Sequence, residues 1–350
     1  MSEDKISTLS EFLHQSGAKY RVFDLGRRVA KLSPDEFVSF EWAKKPYPYP
    51  FQRSALFGVI FWHPDAADKQ YVWFLKFPLD EQGLLLQSAR DEFLVMILER
   101  VGECMLAAAD GQQIQGALKD SPYTFTPRED KMAAFNAHAT RSLSLPPSQF
   151  FKDAQAYFTG KRPLDSWDTL GMQGVAEVAV RVDDNQETPG LIQTLPKLPA
   201  EPFKVLSTFL ESASPSTSIV EILSQRVDVL LQEKQTDISL LCACLRAASN
   251  SPATGLVDSM VQRVLKHRCS RDVEVLASIS GRCWRSLKQP HICKLYMEQL
   301  ANNEAGGYPV FSQLLADLVF LPGMREPVMQ ALRDPKRSDK LGRFVGKMFG

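Results

Sequence analysis

The chain has 350 residues, with 41 Lys and Arg against 41 Asp and Glu, 44% hydrophobic and 23% charged. That composition excludes a collagen-like, low-complexity or intrinsically disordered chain, and the length suggests two or three packed units. A core of this size needs neither disulfides nor a structural metal.

The neutral total conceals an asymmetry. Residues 251–350 carry 15 basic against 9 acidic groups, and residues 1–250 carry 26 against 32. A basic end can favour an anionic partner, but a difference this small also suits ordinary solvated faces. The N-terminal Met1-Ser2-Glu3-Asp4-Lys5 is acidic at once and shows no secretory h-region. The longest apolar stretches, Leu56–Trp62 and Phe93–Leu98, fall far short of the ~20 residues that cross a bilayer. A cytoplasmic protein is expected, its six cysteines reduced and buried.

In chain order, Ile6–His14 reads as a short amphipathic helix stopped by Gly17. Tyr20–Leu25 is strand-like, and Gly26 offers a turn into Arg27–Leu32, a small hairpin. Ser33-Pro34-Asp35-Glu36 places an N-cap, a first-turn proline and two acids at the start of a helix running to Trp42. Pro46-Tyr47-Pro48-Tyr49-Pro50 cannot be helical, because each proline also drives the preceding residue to extended angles.

Ala55–Trp62 and Gln70–Phe77 then flank a polar turn and predict a β-hairpin. Neither run alternates cleanly, so both strands are expected to be central and covered on both faces. From Leu84 onward helical periodicity takes over, with Phe93, Met96, Ile97 and Val101 on one stripe. The stretch from Asp183 to Pro202, with prolines at 189, 196, 199 and 202, is the best domain boundary.

Beyond it the leucines recur. Leu206, Leu241 and Leu276 are spaced by 35, with Leu315 following after 39. A second, interleaved set, Leu230, Leu265 and Leu300, keeps the same 35, with Leu332 after 32. Two helices per period cannot bury an apolar stripe alone, so neighbouring units are expected to stack as an α-solenoid of HEAT-like helical hairpins. The tetratricopeptide signature is absent, and an irregular helical bundle is the alternative.

Chemistry-bearing motifs are missing. There is no Gly-x-Gly-x-x-Gly, no phosphate-binding Gly-x-x-x-x-Gly-Lys and no Gly-x-Ser-x-Gly elbow, and Gly171 and Gly174 read better as helix-packing positions. Cys242 and Cys244 would point about 200° apart on a helix and could not easily chelate one ion. Cys283, His291 and Cys293 match no zinc spacing. No catalytic residue, metal ligand or cofactor is assigned.

One polar constellation is a candidate ligand or partner contact: Asp24, Arg27 and Arg28 at a turn, Gln52 and Arg53 before a strand, and Lys76, Asp80 and Glu81 at the end of the next. Gathered at one rim and walled by Tyr47, Tyr49, Phe51 and Trp73, they would suit a small anion or an acidic peptide. An ion-pair network holding the Pro-Tyr loop is the competing and favoured reading. At the C-terminus, Leu341, Phe344, Val345 and Met348 share a helical face beside Lys340, Arg343 and Lys347, which suits a solenoid cap better than a membrane contact.

Tyr20–Arg28 (YRVFDLGRR), Pro46–Arg53 (PYPYPFQR) and Trp73–Leu85 (WFLKFPLDEQGLL) resemble a family of gammaproteobacterial proteins known only as a domain of unknown function. The resemblance runs nearly full length and implies a bacterial cytosolic protein, with no activity, cofactor or catalytic residue to carry over.

The expectation is therefore a mainly α protein with three parts. Residues 1–85 form an α+β unit with an antiparallel sheet, 86–198 a helical connector, and 199–350 a helical repeat. Its expected role is a non-enzymatic scaffold or adaptor for an unknown protein partner. A small-anion sensor or enzyme at the N-terminal rim is the first alternative. Nucleic-acid binding by the basic repeats around Arg263, Lys266, Arg268, Arg282 and Arg285 is a disfavoured second, since only Trp284 is there to stack on bases.

Overall fold

The structure is a computed structural model that describes residues 6–66, 69–101, 118, 120–184, 186 and 188–349. The chain divides into two compact units, Met1–Phe135 and Asn136–Gly350.

In the first unit, Thr8 caps α1 (Leu9–Gln15) by accepting from the Glu11 amide at 3.1 Å, and Leu9, Phe12 and Leu13 turn inward. Four antiparallel strands follow: β1 (Lys19–Asp24), β2 (Ala30–Leu32), β3 (Ser54–Trp62) and β4 (Tyr71–Pro78), in the order β2-β1-β3-β4. Both hairpins read from the sequence are present, β1 with β2 and β3 with β4. Between β2 and β3, α2 (Pro34–Glu41) starts with a full capping box, in which Ser33 and Glu36 satisfy each other's backbone amides and Pro34 takes the first turn.

Strand β3 is buried from Ser54 to Phe61, as its unbroken apolar run requires of a central strand. Strand β4 departs from expectation. It lies at the sheet margin, with Trp73, Leu75 and Phe77 buried while Val72 and Lys76 are exposed. Only one of its faces is fully covered, so a period-two pattern survives within a run that is apolar overall. Its outer edge is blunted by the segment 123–125, where the Lys76 amide donates to Tyr123 at 2.8 Å and the Phe125 amide to Phe74 at 3.3 Å.

Phe37 and Tyr47 meet Phe57 edge-on at ring separations of 5.2 and 5.3 Å, and Phe77 meets Phe93 at 5.4 Å. Phe93 and Ile97 of α3 (Gln87–Val101) face inward as predicted, while Met96 is half-buried and the Val101 side chain lies outside the described residues. The division between the units falls within α4 (Glu129–Ser142).

The second unit is helical. It contains α5 (Phe151–Phe158), α6 (Met172–Ala179), α7 (Leu191–Thr194), α8 (Ala200–Leu210), α9 (Thr217–Gln232), α10 (Ile238–Ala248) and α11 (Thr254–Lys266). It continues through α12 (Val273–Arg282), α13 (Pro290–Asn302), α14 (Gly307–Val319), α15 (Arg325–Arg333) and α16 (Asp339–Phe349). Gly174 lets α6 close on α5, because a Cβ there would collide with the Phe150 carbonyl oxygen. The stretch from Asp183 to Pro202 holds α7 and a short 3-10 turn and buries Leu191, Leu195 and Leu198.

From α8 onward the helices pack alternately. Helix α8 lies on α10, α10 on α12 and α12 on α14, while α9 lies on α11, α11 on α13 and α13 on α15. All eight leucines that recur in the sequence are buried, none more than 4% exposed. Helix α16 packs on α13 and α15, with Leu341 fully buried and Phe344 edge-on to Phe311 at 5.1 Å. Among the described residues, no helix is long and apolar enough to cross a membrane.

Candidate functional site

At the end of β1 the chain must turn sharply into β2, and Asp24 and Gly26 make that turn. The Gly26 amide donates to Asp24 Oδ1 at 3.0 Å. A Cβ at residue 26 would collide with the Tyr49 carbonyl oxygen, so only glycine allows the Pro-Tyr loop to lie against the turn. Tyr47 Oη donates to the same Asp24 oxygen and, at 3.2 Å, to the Leu56 carbonyl. Arg27 Nε donates to the Pro50 carbonyl at 3.0 Å, and Lys131 Nζ to the Arg27 carbonyl at 3.2 Å.

Asp24 is fully buried and its Oδ2 has no hydrogen-bond partner among the described residues. Burial pushes its carboxyl well above the usual carboxylate range, outweighing the Gly26 hydrogen bond and the nearby charges of Lys131, Arg28 and Arg27. Arg27 and Arg28 are also buried. This end of the constellation clamps the Pro-Tyr loop onto the sheet through hydrogen bonds to backbone carbonyls.

The remaining candidates lie elsewhere. Gln52 and Arg53 are exposed, both in the left-handed region with φ of 49° and 57°, and form the two central positions of a tight turn closed by paired Phe51 and Ser54 backbone bonds of 3.0 Å. Lys76 is exposed on β4 opposite Leu56, whereas Asp24 shares its face with Phe57 and Leu75. That offset of one residue places Asp24 and Lys76 on opposite faces of the sheet. Asp80 folds its carboxylate onto the amides of Gln82 and Leu84, each at 2.8 Å, and Glu81 is exposed. Of the proposed walls, Tyr47 and Trp73 are buried and Phe51 is exposed.

A second polar arrangement joins three helices of the second unit. Glu211, buried just beyond α8, accepts from Arg246 of α10 through Nε at 2.6 Å and through a terminal nitrogen at 3.0 Å. Arg282 of α12 reaches the same carboxylate at 3.0 Å. These three residues stand 35 and 36 apart, within one residue of the leucine interval, so aligning the charged positions with the leucines finds them from the sequence. Beside them runs an open groove across α8, α10 and α12, lined by Lys204, Thr208, Cys242, Arg246, Glu274 and Arg282 among others.

Of the six cysteines, four are buried as expected, Cys269 is half-buried, and Cys104 lies outside the described residues. Cys242, Cys244, Cys283 and Cys293 are buried, and burial pushes the Cys242, Cys244 and Cys293 thiols up to about 12. His291 is exposed in the first turn of α13. Among the described residues no three His, Cys, Asp or Glu side chains converge in a way that could hold a metal ion.

No curated protein and no solved structure matches the chain. A family model described as "Protein of unknown function (DUF3549)" matches residues 4–349, nearly the whole chain, and the protein belongs to that family.

Proposed function

We propose that the protein is a non-enzymatic scaffold or adaptor that presents a helical-repeat surface to a protein partner. The observation that carries this reading is the alternating packing of α8–α15, in which each helix lies on the next but one. Side-chain bonds repeat at nearly the same step. Arg246 to Glu211, Arg263 to Asp228 and Arg285 to Asn250 each span 35 residues, and Asn250 to the Ala213 carbonyl spans 37. Helical hairpins stacked in this way form a HEAT-like solenoid, whose extended surfaces suit protein recognition. The groove across α8, α10 and α12 is the contact we assign to the partner.

The test is in-cell cross-linking read by mass spectrometry, paired with a variant whose groove floor is filled by Ala243→Arg and Ala277→Arg. The expected result is a partner cross-linked to α8, α10 and α12, with recovery falling roughly tenfold or more in the variant. Unchanged recovery, or cross-links confined to the first unit, would overturn the reading.

The alternative of a small-anion sensor at the N-terminal rim is weaker, because Asp24 and Arg27 are committed to the loop and Lys76 lies on the other face. A thermal-shift screen with phosphorylated and carboxylate metabolites addresses it, since a ligand at about 100 times its Kd adds about 2.7 kcal/mol. Nucleic-acid binding is weaker still. Arg263 and Arg282 are engaged by Asp228 and Glu211, and Trp284 is buried.

A further inference from the structure

The last helix of the stack carries an unbalanced charge on its outer side. Helix α16 docks through one face: Leu341 is fully buried, and Phe344 sits edge-on to Phe311 at 5.1 Å and to Tyr308 at 5.6 Å. Lys340, Arg343 and Lys347 fall on a different face, within about 60° of one another, and span about 10 Å of helix. Arg333, at the end of α15, and Lys336 and Arg337, in the turn that follows, add three more cations. Residues 333–347 thus hold six cations against two carboxylates, Asp334 and Asp339. The nearby carboxylates do not balance them. Asp334 pairs with Lys294 of α13 at 2.7 Å, and Glu298 accepts from the Ser338 amide and hydroxyl at 3.0 and 2.6 Å. Asp339 stands in the first turn of α16, and Glu304 approaches Lys340 at 3.6 Å. Arg333, Lys336, Arg337, Arg343 and Lys347 are exposed, with no ion-pair partner among the described residues.

We infer that this outer face of α16 receives an amphipathic helix of a partner protein whose facing stripe carries Glu or Asp. Cations at i, i+3 and i+7 recur with the spacing at which a neighbouring helix repeats its own side chains, so one acidic stripe meets all three. Charge complementarity of this kind sets both encounter and register. Beside the cations, Gly342 and Gly346 let another backbone come close. A Cβ at Gly346 would meet nothing within 4 Å, and one at Gly342 would meet only Arg337 Nε, at 3.6 Å, so packing within the fold does not call for either glycine. Val345, half-buried, gives the partner an apolar flank. Other polyanions fit this face less well. Docking consumes the apolar side of α16 that a lipid surface would take. Tyr308 is half-buried with Lys347 Nζ 5.6 Å from its ring centre, so it offers nucleic-acid bases no free platform. This surface is not the groove across α8, α10 and α12, and the inference does not rest on the contact assigned there.

The experiment uses the full chain and three stapled helical peptides of equal length, read by fluorescence anisotropy. One carries Glu on a single stripe, one the same Glu residues spread around the helix, and one Lys on the stripe. The Glu-striped helix should bind, the spread-Glu helix roughly tenfold more weakly, and the Lys-striped helix not at all. Arg343→Glu should weaken Glu-striped binding roughly tenfold, and Arg337→Glu combined with Arg343→Glu should transfer binding to the Lys-striped helix. Both residues are exposed, so thermal melting should match the parent's, and a gain of Lys-striped binding cannot come from unfolding. Phosphatidylglycerol vesicles and a DNA duplex serve as competing probes. Four outcomes overturn the inference: no binding of any helix, equal binding of the striped and spread Glu helices, binding indifferent to Arg343→Glu, or vesicles or duplex bound more tightly than the Glu-striped helix.

Discussion

The two units are tied together over different distances along the chain. In the first, Ser10 bonds Glu41 from 31 residues away, Arg90 bonds the Glu41 carbonyl from 49, and Lys131 bonds the Arg27 carbonyl from 104. In the second, many of the bonds that tie each helix or its end to the next but one span 34 to 39 residues. Irregular long-range ties mean that the first unit must close many loops before any of them is rewarded, so it should form and unfold as one. Regular nearest-neighbour ties let the second be built, and lost, helix pair by helix pair.

The largest effect that tests this contrast is a cavity in the helical unit. Leu276 is fully buried, and Leu276→Ala should cost about 4 kcal/mol. Hydrogen exchange should show protection falling in α10–α14 and unchanged in the sheet. Protection lost evenly across both units would erase the distinction.

Next is the shared carboxylate. Glu211→Ala removes the partner of both Arg246 and Arg282 and should cost about 3 kcal/mol, measured by urea unfolding, with Glu211→Gln milder. The penalty is held at that level because both arginine side chains are partly exposed and can regain water.

A pH prediction of nearly the same size sharpens the comparison from the other side. Glu41, the last residue of α2, is buried with its carboxylate against the first turn of α1, where it accepts from the Leu9 amide at 2.7 Å and from the Ser10 amide and hydroxyl. Burial outweighs these hydrogen bonds and the nearby Arg90, raising the carboxyl from 4.5 to about 7. A raised carboxyl pKa means that the folded state binds the extra proton. The first unit should therefore lose stability as pH rises from about 4.5 to 7, by on the order of 3 kcal/mol, and level off above. Glu41→Gln should flatten that slope in thermal melts monitored from the first unit. Rising stability across that interval in the parent would refute the assignment.

The smallest expected change is at a cap. Ser33→Ala deletes the reciprocal bonds at the start of α2 and should cost about 1 kcal/mol, with no effect on helices beyond Asn136.

Much of the first unit was legible because its signals are local. Ser33-Pro34 at a helix start, Gly26 at a turn and the apolar run of β3 each state their own environment. The position of β4 was not legible, since an apolar run fixes that a strand is covered but not whether a further strand lies beyond it. The polar rim failed for a related reason. Asp24 on β1 and Lys76 on β4 sit at the same end of the two strands that flank β3, yet a register differing by one residue puts them on opposite faces. In the second unit the 35-residue leucine interval marks six buried positions, and Leu315 and Leu332, which follow at 39 and 32, are buried as well. The charged triad of Glu211, Arg246 and Arg282 keeps nearly the same interval but is hidden, because charged side chains usually mark solvated faces and nothing local sets a buried carboxylate such as Glu211 apart.

The buried thiols turn the helical unit into its own stopwatch. A thiol held up near 12 carries almost no thiolate at neutral pH, and burial keeps reagents away as well. Iodoacetamide should therefore leave Cys244 and Cys293 untouched until their helices part, Cys244 sitting in α10 and Cys293 in α13. The order in which those two sulfurs become alkylated during mild destabilisation would record which end of the stack loosens first, with no label added to the protein.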